Sequence, residues 1–453
     1  MQTKLSACYE KHAEEIIRIL NQNGYRAYYV GGCVRDALLG KTPHDFDLAT
    51  DALPEETEAL FRGKGYPVIE TGIRHGTVSV ILEKKPYEIT TFRTDGEYRD
   101  HRRPDRVTFV RTLREDLARR DFTVNALAFH RKEGVLDYFN GRADLEGRTI
   151  RCVGRPEARF EEDALRILRA LRFAAQLGFS IEQNTAQAVR SCKELLRTVS
   201  AERICAEFTG ILEADAPSGI LREYIDVFGI FLPELLPSVG FCQNNPWHLY
   251  DVFEHTMVAL EHTPRDLTVR LAVLFHDIGK PYVYTQDGDG VGHFKGHAAL
   301  SAQLAEQILK RLRFDRRTRE DVCLLVRHHD DRIPADAASV KRLIRRLGKE
   351  NAARVIRVET ADHAAQNPAL VAVRRQEMQV IGRMVESLTQ PGACCLTTAD
   401  LAVDGTDVLA AGVPQGRQVG KMLERILELV TEEKLPNERE ALLRYIETNK
   451  NEL

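Results

Sequence analysis

The sequence contains no apolar run of the roughly 18 residues that a membrane-spanning helix requires. Its nine cysteines are scattered without C-x-x-C spacing, which excludes a disulfide framework and a thiolate zinc site. No apolar secretory segment opens the sequence, and it holds no internal repeat or low-complexity segment. These absences predict a protein of the reducing cytoplasm that has no membrane partner.

The chain also lacks a strong excess of charge of one sign, because its net charge is −3 with 29% charged residues. A polycation that coats RNA through bulk charge is therefore excluded, and any contact with nucleic acid must come from local basic surfaces. Residues 341–357 carry seven Lys and Arg on a predicted pair of helices. Both a solvated face and a contact with phosphate groups are consistent with that segment.

The distribution of apolar residues predicts a chain of several domains. Residues 1–150 read as mixed strands and helices, whereas the pattern after about residue 155 has helical periodicity throughout. We therefore expect an α+β protein. The predicted domain boundaries give the ranges 1–150, 151–240, 241–385 and 386–453.

Residues 28–50 combine a Gly-Gly turn with two closely spaced carboxylates. Gly31 and Gly32 let backbone N–H groups approach an anion, and the helix predicted to follow adds a favourable dipole. Asp45 and Asp47 are separated by one residue, so on a strand both side chains lie on the same face and reach the same divalent ions. This combination is what phosphoryl or nucleotidyl transfer requires. A surface turn followed by acidic loop residues is the alternative.

GGCVRDALLG (residues 31–40) followed by DFD (residues 45–47) resembles the first motif of the nucleotidyltransferase superfamily that includes DNA polymerase β. Within it, the match is to the class II tRNA nucleotidyltransferase and bacterial poly(A) polymerase family. The resemblance implies a polymerase-β-like head followed by an all-helical neck, body and tail, with Asp45 and Asp47 as catalytic residues that hold Mg²⁺. Glu88 in YEITTFR is the candidate third carboxylate, although a solvent-facing strand residue is equally consistent with its pattern.

RRDFTVNALAF (residues 119–129) matches the second motif of the family, which contacts the nucleotide sugar. The resemblance implies a nucleotide-binding set in the first two motifs: Gly31, Gly32, Arg35, Arg120, Asp121 and Asn125. Between the motifs, residues 93–120 carry nine Arg against six acidic residues. On charge alone this segment is a solvated loop, whereas it resembles the flexible loop of enzymes that add the final A.

RFEEDALRILRALRFAAQLGF (residues 159–179) predicts an amphipathic helix with Gly178 as its stop. Asp163 and Arg166 would be neighbours on that helix, where a surface ion pair is the ordinary interpretation. The segment also matches the E-D-x-x-R motif of the family. The resemblance implies that Asp163 accepts from an exocyclic amine and Arg166 donates to ring acceptors, so that C and A are selected without a nucleic-acid template. Arg169 completes the candidate nucleotide-binding set.

The order H…HD…H…HH…D across residues 255–362 resembles the HD superfamily of metal-dependent phosphohydrolases. Only 14 of 453 residues are histidine, yet six of them lie at matching positions between residues 255 and 329 if His293 is included. The resemblance implies this metal set: His255, His276, Asp277, His297, His328, His329 and Asp362. Asp330 is the alternative to Asp362, and His293 is expected in a loop. Imidazole and carboxylate ligands favour Mn²⁺, Fe²⁺, Co²⁺ or Ni²⁺ over a pure-oxygen Mg²⁺ site.

The preferred function is therefore template-independent addition or repair of the 3′-terminal CCA of tRNA from CTP and ATP, with release of pyrophosphate. The HD resemblance adds an expected metal-dependent phosphohydrolase activity. Poly(A) polymerase and partial CC- or A-adding enzymes share the catalytic motifs and stay as alternatives. A chain that is mainly an HD phosphohydrolase with an RNA-binding head is a hypothesis of another class. The pattern predicts no particular oligomeric state.

Overall fold

The chain forms two compact units, Met1–Pro233 and Glu234–Leu453. The computed structural model describes residues 10–43, 45–72, 76–96, 107–390, 397–432 and 434–450. The first unit combines a mixed sheet with helices and the second is mainly helical, which confirms the predicted α+β class. The division into four domains is finer than these two units and stays a prediction. Residues 97–106, in the segment expected to resemble a flexible loop, lie outside the described residues.

The first unit contains eleven α-helices in its described residues. Helix α1 begins where the Glu10 side chain accepts hydrogen bonds from the backbone N–H groups of His12 and Ala13. The helices are α1 (Lys11–Gln22), α2 (Gly32–Leu38), α3 (Pro54–Gly63), α4 (Leu113–Ala118), α5 (Gly141–Glu146), α6 (Pro156–Glu162), α7 (Leu165–Leu177), α8 (Gln183–Ser191), α9 (Ala201–Leu212), α10 (Pro217–Glu223) and α11 (Ile225–Phe228).

The main sheet of the first unit has the strand order β3-β4-β5-β2-β1-β8-β9. Its neighbours are antiparallel except for β2 and β5, which run parallel. The strands are β1 (Ala27–Val30), β2 (Leu48–Thr50), β3 (Val68–Gly72), β4 (Thr77–Leu82), β5 (Lys85–Thr91), β6 (Arg93–Asp95), β7 (Val107–Phe109), β8 (Leu127–His130), β9 (Gly134–Asp137), β10 (Thr149–Ile150) and β11 (Ser180–Ile181). One face of this sheet packs on a core that includes Tyr28, Val30, Phe92, Leu117 and Ala128.

The central strands bring the first two sequence motifs together. The N–H of Val30, at the end of β1, donates to the carbonyl of Asp47 at 3.0 Å, just before β2 begins. The next N–H, that of Gly31, donates to the carbonyl of Leu127 at the start of β8, also at 3.0 Å. The glycine turn therefore lies between the DFD segment and the end of the RRDFTVN segment.

The helix predicted at residues 159–179 is two helices, α6 and α7. They are separated at Asp163, whose backbone is extended with φ −139° and ψ 103°. Helix α7 ends at Gly178, which has φ 66° and is the left-handed stop that the sequence predicted. The break moves Asp163 off the helical position that the sequence pattern gave it.

The second unit is a helical assembly with one short two-stranded sheet, β12 (Thr285–Gln286) and β13 (Gly292–His293). None of the helices in the described part of the chain has the length and apolar content to cross a bilayer. The helices are α12 (Val252–Glu261), α13 (Leu267–Phe275), α14 (Lys280–Val283), α15 (His297–Arg311), α16 (Arg316–His328), α17 (Ala337–Leu347), α18 (Lys349–Ala365), α19 (Pro368–Thr389), α20 (Gly405–Ala410), α21 (Arg417–Thr431) and α22 (Arg439–Asn449). Short 3₁₀ helices of the chain lie at Thr123–Asn125, Lys193–Thr198, Pro233–Ser238 and Thr398–Asp400.

Candidate active site and candidate metal centre

The turn after β1 requires glycine for a steric reason. Gly31 has φ +76°, in the left-handed region that favours glycine. A Cβ on Gly31 would lie 2.6 Å from Nη1 of Arg120 and 3.7 Å from Oδ2 of Asp47. Arg120 and Asp47 therefore converge on this turn, so the predicted phosphate-binding turn, one predicted carboxylate and the second motif meet in space.

The predicted catalytic carboxylates lie at the start of β2 and on its neighbour β5. Asp45 and Asp47 precede β2, and both are exposed, as is Glu88 on β5. Leu48 pairs with Ile89 in parallel register. Continuing this register back by one residue puts Asp47 beside Glu88. The strand pairing thus brings the candidate third carboxylate next to the DFD segment.

The pKa of the Asp47 carboxyl depends on the protein atoms around it and on two neighbouring charges. Although Asp47 is exposed as a whole residue, the protein atoms around its carboxyl partly desolvate that group and raise its pKa; the negative charge of Asp45 adds to the shift, while Arg120 opposes it. A raised carboxyl pKa means that the negative charge is poorly compensated by the protein alone. A divalent cation beside Asp47 and Asp45 would relieve the repulsion between their charges, so the residues fit Mg²⁺.

A cleft of about 470 Å³ opens in front of the glycine turn. All nine predicted nucleotide-binding residues line it, together with Asp47, whereas Asp45 and Glu88 do not. Six arginines and three aspartates face the cleft, which gives it a positive balance suited to an anionic ligand. The charged lining residues are Arg35, Asp47, Arg119, Arg120, Asp121, Asp163, Arg166, Arg169 and Arg203.

Asp121 is the buried centre of a hydrogen-bond network on the wall of this cleft. Its Oδ2 accepts from Nε of Arg169 at 2.7 Å, and its Oδ1 accepts from Nδ2 of Asn125 at 3.3 Å. Asn125 in turn accepts from Nη1 of Arg35 at 2.7 Å. Burial alone would raise the pKa of Asp121, but the charges of Arg169 and Arg166 and these hydrogen bonds lower it below its ordinary value. Asp121 therefore stays ionised and fixes the side chains around it.

The predicted base-reading residues do not lie on one helix, because Asp163 precedes the helix α7 that carries Arg166. Asp163 lies in the break between α6 and α7 and accepts from Nη2 of Arg203 at 2.7 Å. Arg166 donates from Nη1 to Glu162 at 2.6 Å and from Nη2 to the carbonyl of Arg119 at 3.2 Å. The extended backbone at Asp163 takes that residue out of the helix, and its carbonyl accepts from the N–H of Arg166 at 2.9 Å. Both residues nevertheless face the same cleft.

Asp116 is a structural residue of the cleft that the motifs did not indicate. It is fully buried, and its Oδ1 accepts from Nε of Arg119 at 3.1 Å and from Nη2 at 2.9 Å. Nη2 of Arg120 lies 3.6 Å from its Oδ2. Asp116 therefore orients both arginines of the RRD segment. Asp116 lies three and four residues before Arg119 and Arg120, so this helical spacing was the sequence signal that could have indicated the pairing.

In the second unit, helix packing brings six of the predicted metal ligands together. Helices α12 and α13 both pack against α18, and α13 also packs against α16, which pairs with α15. Two sets of ligand atoms lie within 4.8 Å of one another: His255, His276 and Asp362, and His276, Asp277 and His329. His297 joins the second set, with Nε2 3.4 Å from Oδ1 of Asp277 and 3.2 Å from Nε2 of His329.

Three histidines of this cluster each have Nδ1 close to a backbone carbonyl, which favours one tautomer. Nδ1 of His276 lies 2.6 Å from the carbonyl of Val273, that of His297 lies 2.9 Å from Phe294, and that of His329 lies 2.7 Å from Val326. When Nδ1–H donates to these carbonyls, each Nε2 presents a lone pair towards the cluster. Nε2 of His276 and Oδ1 of Asp277 are buried and find no hydrogen-bond partner in the described part of the chain. These converging lone pairs fit a divalent transition metal.

The electrostatics of the cluster agree with a bound cation. Burial disfavours the charged imidazole, but Asp277 and Asp362 more than offset this and raise the pKa of His276 to about 10. Burial likewise opposes ionisation of Asp277, yet His276 and Lys280 hold its pKa well below the ordinary value. The two buried carboxylates thus create a negative potential that attracts a proton or a metal ion.

His328 is not brought to the cluster, unlike its neighbour His329. Nδ1 of His328 lies 2.8 Å from Oδ2 of Asp331. Successive residues on a helix point about 100° apart, so one of the two side chains faces away when the other faces the metal set. Asp362, rather than Asp330, belongs to a ligand set. His293 was expected in a loop but lies in the short strand β13, where its Nε2 is 2.7 Å from Oδ2 of Asp287.

Comparison with protein families gives three matches along the chain. A model described as the head domain of poly A polymerase matches residues 27–151, which contain the glycine turn and the second motif. A model described as an RNA- and SrmB-binding site of polymerase A matches residues 178–237. A third, described as tRNA nucleotidyltransferase domain 2, matches residues 296–446.

Two similar proteins and one similar structure are CCA-adding enzymes. The CCA-adding enzyme of Lactobacillus helveticus is 36% identical over 438 residues, which is 96% of this chain and 96% of that enzyme. The CCA-adding enzyme of Enterococcus faecalis is 50% identical over 216 residues, and this alignment spans about half of each protein, 48% of this chain and 52% of the relative. The crystal structure of the Bacillus stearothermophilus CCA-adding enzyme in complex with CTP has a TM-score of 0.69 and 30% identity, over 97% of both chains.

Proposed function

This chain belongs to the family of CCA-adding enzymes, and we propose that it adds or repairs the 3′-terminal CCA of tRNA from CTP and ATP, with release of pyrophosphate. The observation that carries the proposal is the cleft of about 470 Å³, where Asp47 and all nine predicted nucleotide-binding residues meet. Its six arginines against three aspartates match the negative charge of a nucleoside triphosphate. The domain model matched at residues 296–446 names tRNA as the substrate of its family.

The proposed reaction joins the 3′-oxygen of the RNA to the α-phosphorus of the incoming triphosphate. The bond from the α-phosphorus to the bridging oxygen breaks, and pyrophosphate leaves with that oxygen. The backbone at Gly31 and Gly32 and the guanidinium of Arg120 hold the phosphates, because Arg120 lies against the glycine turn. Asp121 keeps Arg169 and Asn125 in place beside the bound nucleotide.

Membership of this family implies dependence on divalent metal ions, and we propose Mg²⁺ as the ion of the first unit. Asp45 and Asp47 would hold it, with Glu88 as the neighbouring third carboxylate. The raised pKa of Asp47 supports this assignment, because a cation would offset the burial and the repulsion from Asp45. When bound, Mg²⁺ would activate the attacking hydroxyl and neutralise charge on the α-phosphate.

Base selection is assigned to Asp163 and Arg166, which face the same cleft. The Asp163 carboxylate accepts from the exocyclic amine of C or A, and Arg166 donates to ring acceptors. U and G present a carbonyl oxygen at the corresponding position, which leaves the carboxylate without a donor and costs the desolvation of buried polar groups. Since Arg203 already donates to Asp163, the incoming amine shares this carboxylate with Arg203.

The test of this proposal is incorporation of single nucleotides. The purified enzyme is incubated with tRNA lacking CCA and with tRNA ending in C or CC, with each triphosphate separately and with CTP plus ATP. We expect products that end in CCA and no growth with UTP or GTP. Long A tracts would instead identify a poly(A) polymerase, and products that stop at CC would identify a partial enzyme. Incorporation by an Asp45→Ala/Asp47→Ala variant would overturn the assignment of the first unit.

The cluster in the second unit favours a second candidate function, a metal-dependent phosphohydrolase. The ligands on which it rests are His255, His276, Asp277, His297, His329 and Asp362. A bound Mn²⁺, Fe²⁺, Co²⁺ or Ni²⁺ would supply a deprotonated water at neutral pH. In the reaction, the water oxygen bonds to phosphorus, the ester P–O bond breaks, and the leaving oxygen takes up a proton.

The two candidate activities are separable by paired variants. Hydrolysis of phosphomonoesters and of 2′,3′-cyclic phosphates is measured with added Mn²⁺, Co²⁺ or Ni²⁺, beside nucleotide incorporation. His276→Ala/Asp277→Ala should abolish hydrolysis and retain incorporation, and Asp45→Ala/Asp47→Ala should do the reverse. Hydrolysis that persists without His276 and Asp277 would remove the second candidate function.

A further inference from the structure

The metal cluster lies between two cavities of the second unit. One, of about 480 Å³, is lined by Lys280 and the loop around His293 and Lys295. The other, of about 510 Å³, is lined by the start of helix α19 and by the segment before helix α12. Both cavities include Asn245, His248, His329, Asp330, Asp362 and Gln366. A molecule held at the cluster therefore has room on two sides.

The two cavities differ in chemistry. The first is lined by the exposed Lys295, whose ammonium suits a phosphate group, and by Lys280, whose ammonium lies 2.6 Å from Oδ2 of Asp277. The second, which we call the aromatic lobe, is defined by Trp247, Leu370 and Val373. These side chains are unusually exposed for apolar residues, at 46%, 41% and 70% respectively. A cluster of exposed apolar side chains beside a polar site marks a ligand surface.

The backbone at Trp247 is fixed by hydrogen bonds to Asn367. Its carbonyl accepts from the N–H of Asn367 at 2.9 Å, just before helix α19 begins, and the Asn367 side chain donates to the carbonyl of Pro246 at 3.1 Å. The ring of His248 follows, with its centroid 5.1 Å from that of His255 in the metal cluster. One short segment thus connects the indole to a metal ligand.

Two buried polar atoms at this lobe also lack partners. Nδ1 of His248 and Nδ1 of His363 are both buried, and neither has a hydrogen-bond partner in the described part of the chain. Both residues line the aromatic lobe. Four apolar residues form one part of this cavity, and the rest of its lining is polar and includes five carboxylates and two arginines. Its volume of about 510 Å³ is within the range of small-molecule sites.

We propose that the aromatic lobe binds the nucleobase of a nucleoside phosphoester whose phosphate lies at the metal cluster, with Trp247 as the stacking surface. This inference rests on the proposed phosphohydrolase function and deepens it by naming the substrate class. A phosphate ester without a base leaves Trp247, Leu370 and Val373 in water, whereas a stacked base covers them. The free 3′ end of an RNA and a free nucleotide share this chemistry, so both are tested.

Binding is measured through the fluorescence of Trp247, the one tryptophan in the sequence. The full chain, at a fixed concentration of Mn²⁺, is titrated with adenosine 2′,3′-cyclic phosphate, with an RNA oligonucleotide that ends in a 2′,3′-cyclic phosphate, and with glycerol 2-phosphate. We expect saturable quenching by an adenosine ligand and none by glycerol 2-phosphate. Quenching by the RNA alone would assign the lobe to RNA ends. Absence of quenching, or equal quenching by glycerol 2-phosphate, would overturn the proposal.

Kinetics give a second test with a matched control. Leu249 lies two residues from Trp247, is 57% exposed and lines neither cavity. Stacking on an aromatic side chain contributes about 1–3 kcal/mol per base, so Trp247→Ala should raise KM for the cyclic nucleotide about 5-fold to 150-fold. Leu249→Ala should leave that KM unchanged, and neither variant should alter KM for glycerol 2-phosphate.

The outcomes separate the two proposals. Quenching by adenosine ligands without any hydrolysis would support base binding at the aromatic lobe and contradict the phosphohydrolase function. Both esters could instead be hydrolysed with similar KM values, and Trp247→Ala could have no effect. That result would support the phosphohydrolase function and contradict the proposal that the aromatic lobe binds a base.

Discussion

Arg203 donates a charged hydrogen bond to Asp163 across 2.7 Å, although the two residues are 40 positions apart in the chain. Arg203 comes from helix α9, and Asp163 comes from the break between α6 and α7. The other carboxylate oxygen of Asp163 accepts from the N–H of Leu165 at 3.1 Å. The carboxylate proposed to read the base is therefore fixed from two sides before a nucleotide enters.

Replacing Arg203 by alanine should weaken base selection. Without Arg203, the Asp163 carboxylate keeps only its hydrogen bond from the N–H of Leu165, and its hydrogen bond to the base amine is held less firmly. A charged hydrogen bond contributes about 1.5–3 kcal/mol, so we expect kcat/KM for CTP and ATP to fall about 10-fold to 150-fold. Discrimination against UTP, measured as the ratio of kcat/KM values, should fall as well.

Arg197→Ala is the matched control for this variant. Arg197 is an exposed arginine paired with Glu194 at 2.7 Å, and it does not line the cleft. Its removal should leave kcat/KM and the ratio of CTP to UTP unchanged. Unaltered selectivity in Arg203→Ala would show that Asp163 does not depend on this pair.

Gly31→Ala should abolish most of the transfer activity for a reason that Gly40→Ala does not share. Both glycines have φ +76°, so both substitutions cost about 1–2 kcal/mol of backbone strain. A Cβ at Gly31 meets Nη1 of Arg120 at 2.6 Å, whereas a Cβ at Gly40 meets no atom within 4 Å. We expect similar falls in Tm for the two variants. Only Gly31→Ala should lower kcat/KM, on the order of 100-fold, because the phosphate-binding arginine is displaced.

Equal activity of these two glycine variants would contradict the proposed contact. Arg120 would then be free to move without loss of function, and the glycine turn would act only as a structural turn.

The motifs predicted from the sequence are those whose residues lie close together in the chain. The glycine turn, the RRDFTVN segment and the E-D-x-x-R segment all line one cleft, because β1, β2 and β8 are neighbours in the sheet. Arg203 could not be predicted in the same way. It reaches Asp163 only through the packing of α9 against α7, which no local pattern reports.

Local backbone conformation and the rotation of helices about their axes explain the other differences between the sequence predictions and the structure. Asp163 was expected on a helical face with Arg166, but its extended backbone places it in the break before the helix that carries Arg166. His328 and His329 match the metal motif equally well in sequence. Which of the two faces the cluster depends on how α16 is rotated against α13, and that rotation is set by packing.

Glu359 should make the stability of the second unit fall as pH rises. Burial, with a contribution from Asp362 and against the opposing charge of Arg374, raises the pKa of Glu359 from 4.5 to about 9. Between these values the folded state holds a proton that the unfolded state has lost. Stability is therefore highest below about pH 5 and declines towards pH 9, by at most about 1.4 kcal/mol per pH unit.

Glu359→Gln removes this titration and keeps an acceptor for Arg374. The Tm of the native chain, relative to that of Glu359→Gln, should fall steadily between pH 5 and pH 9. Glu377→Gln is the control, because Glu377 also pairs with Arg374, at 3.1 Å, but is not fully buried. Parallel Tm profiles for the native chain and Glu359→Gln would show that Glu359 titrates normally.

His329 and His328 provide the sharpest test of the metal centre, because they are adjacent and differ only in direction. His329 is 4% exposed and belongs to a ligand set with His276 and Asp277, whereas His328 pairs with Asp331. A metal that binds only the folded state stabilises it by about 2.7 kcal/mol at a concentration 100 times its Kd. Added Mn²⁺ or Ni²⁺ should therefore raise the Tm of the native chain and of His328→Ala. In His329→Ala the rise should be smaller, and the number of metal ions bound per chain, measured by elemental analysis, should drop. If both variants kept the full metal content, the set formed by His276, Asp277 and His329 would not be a metal site.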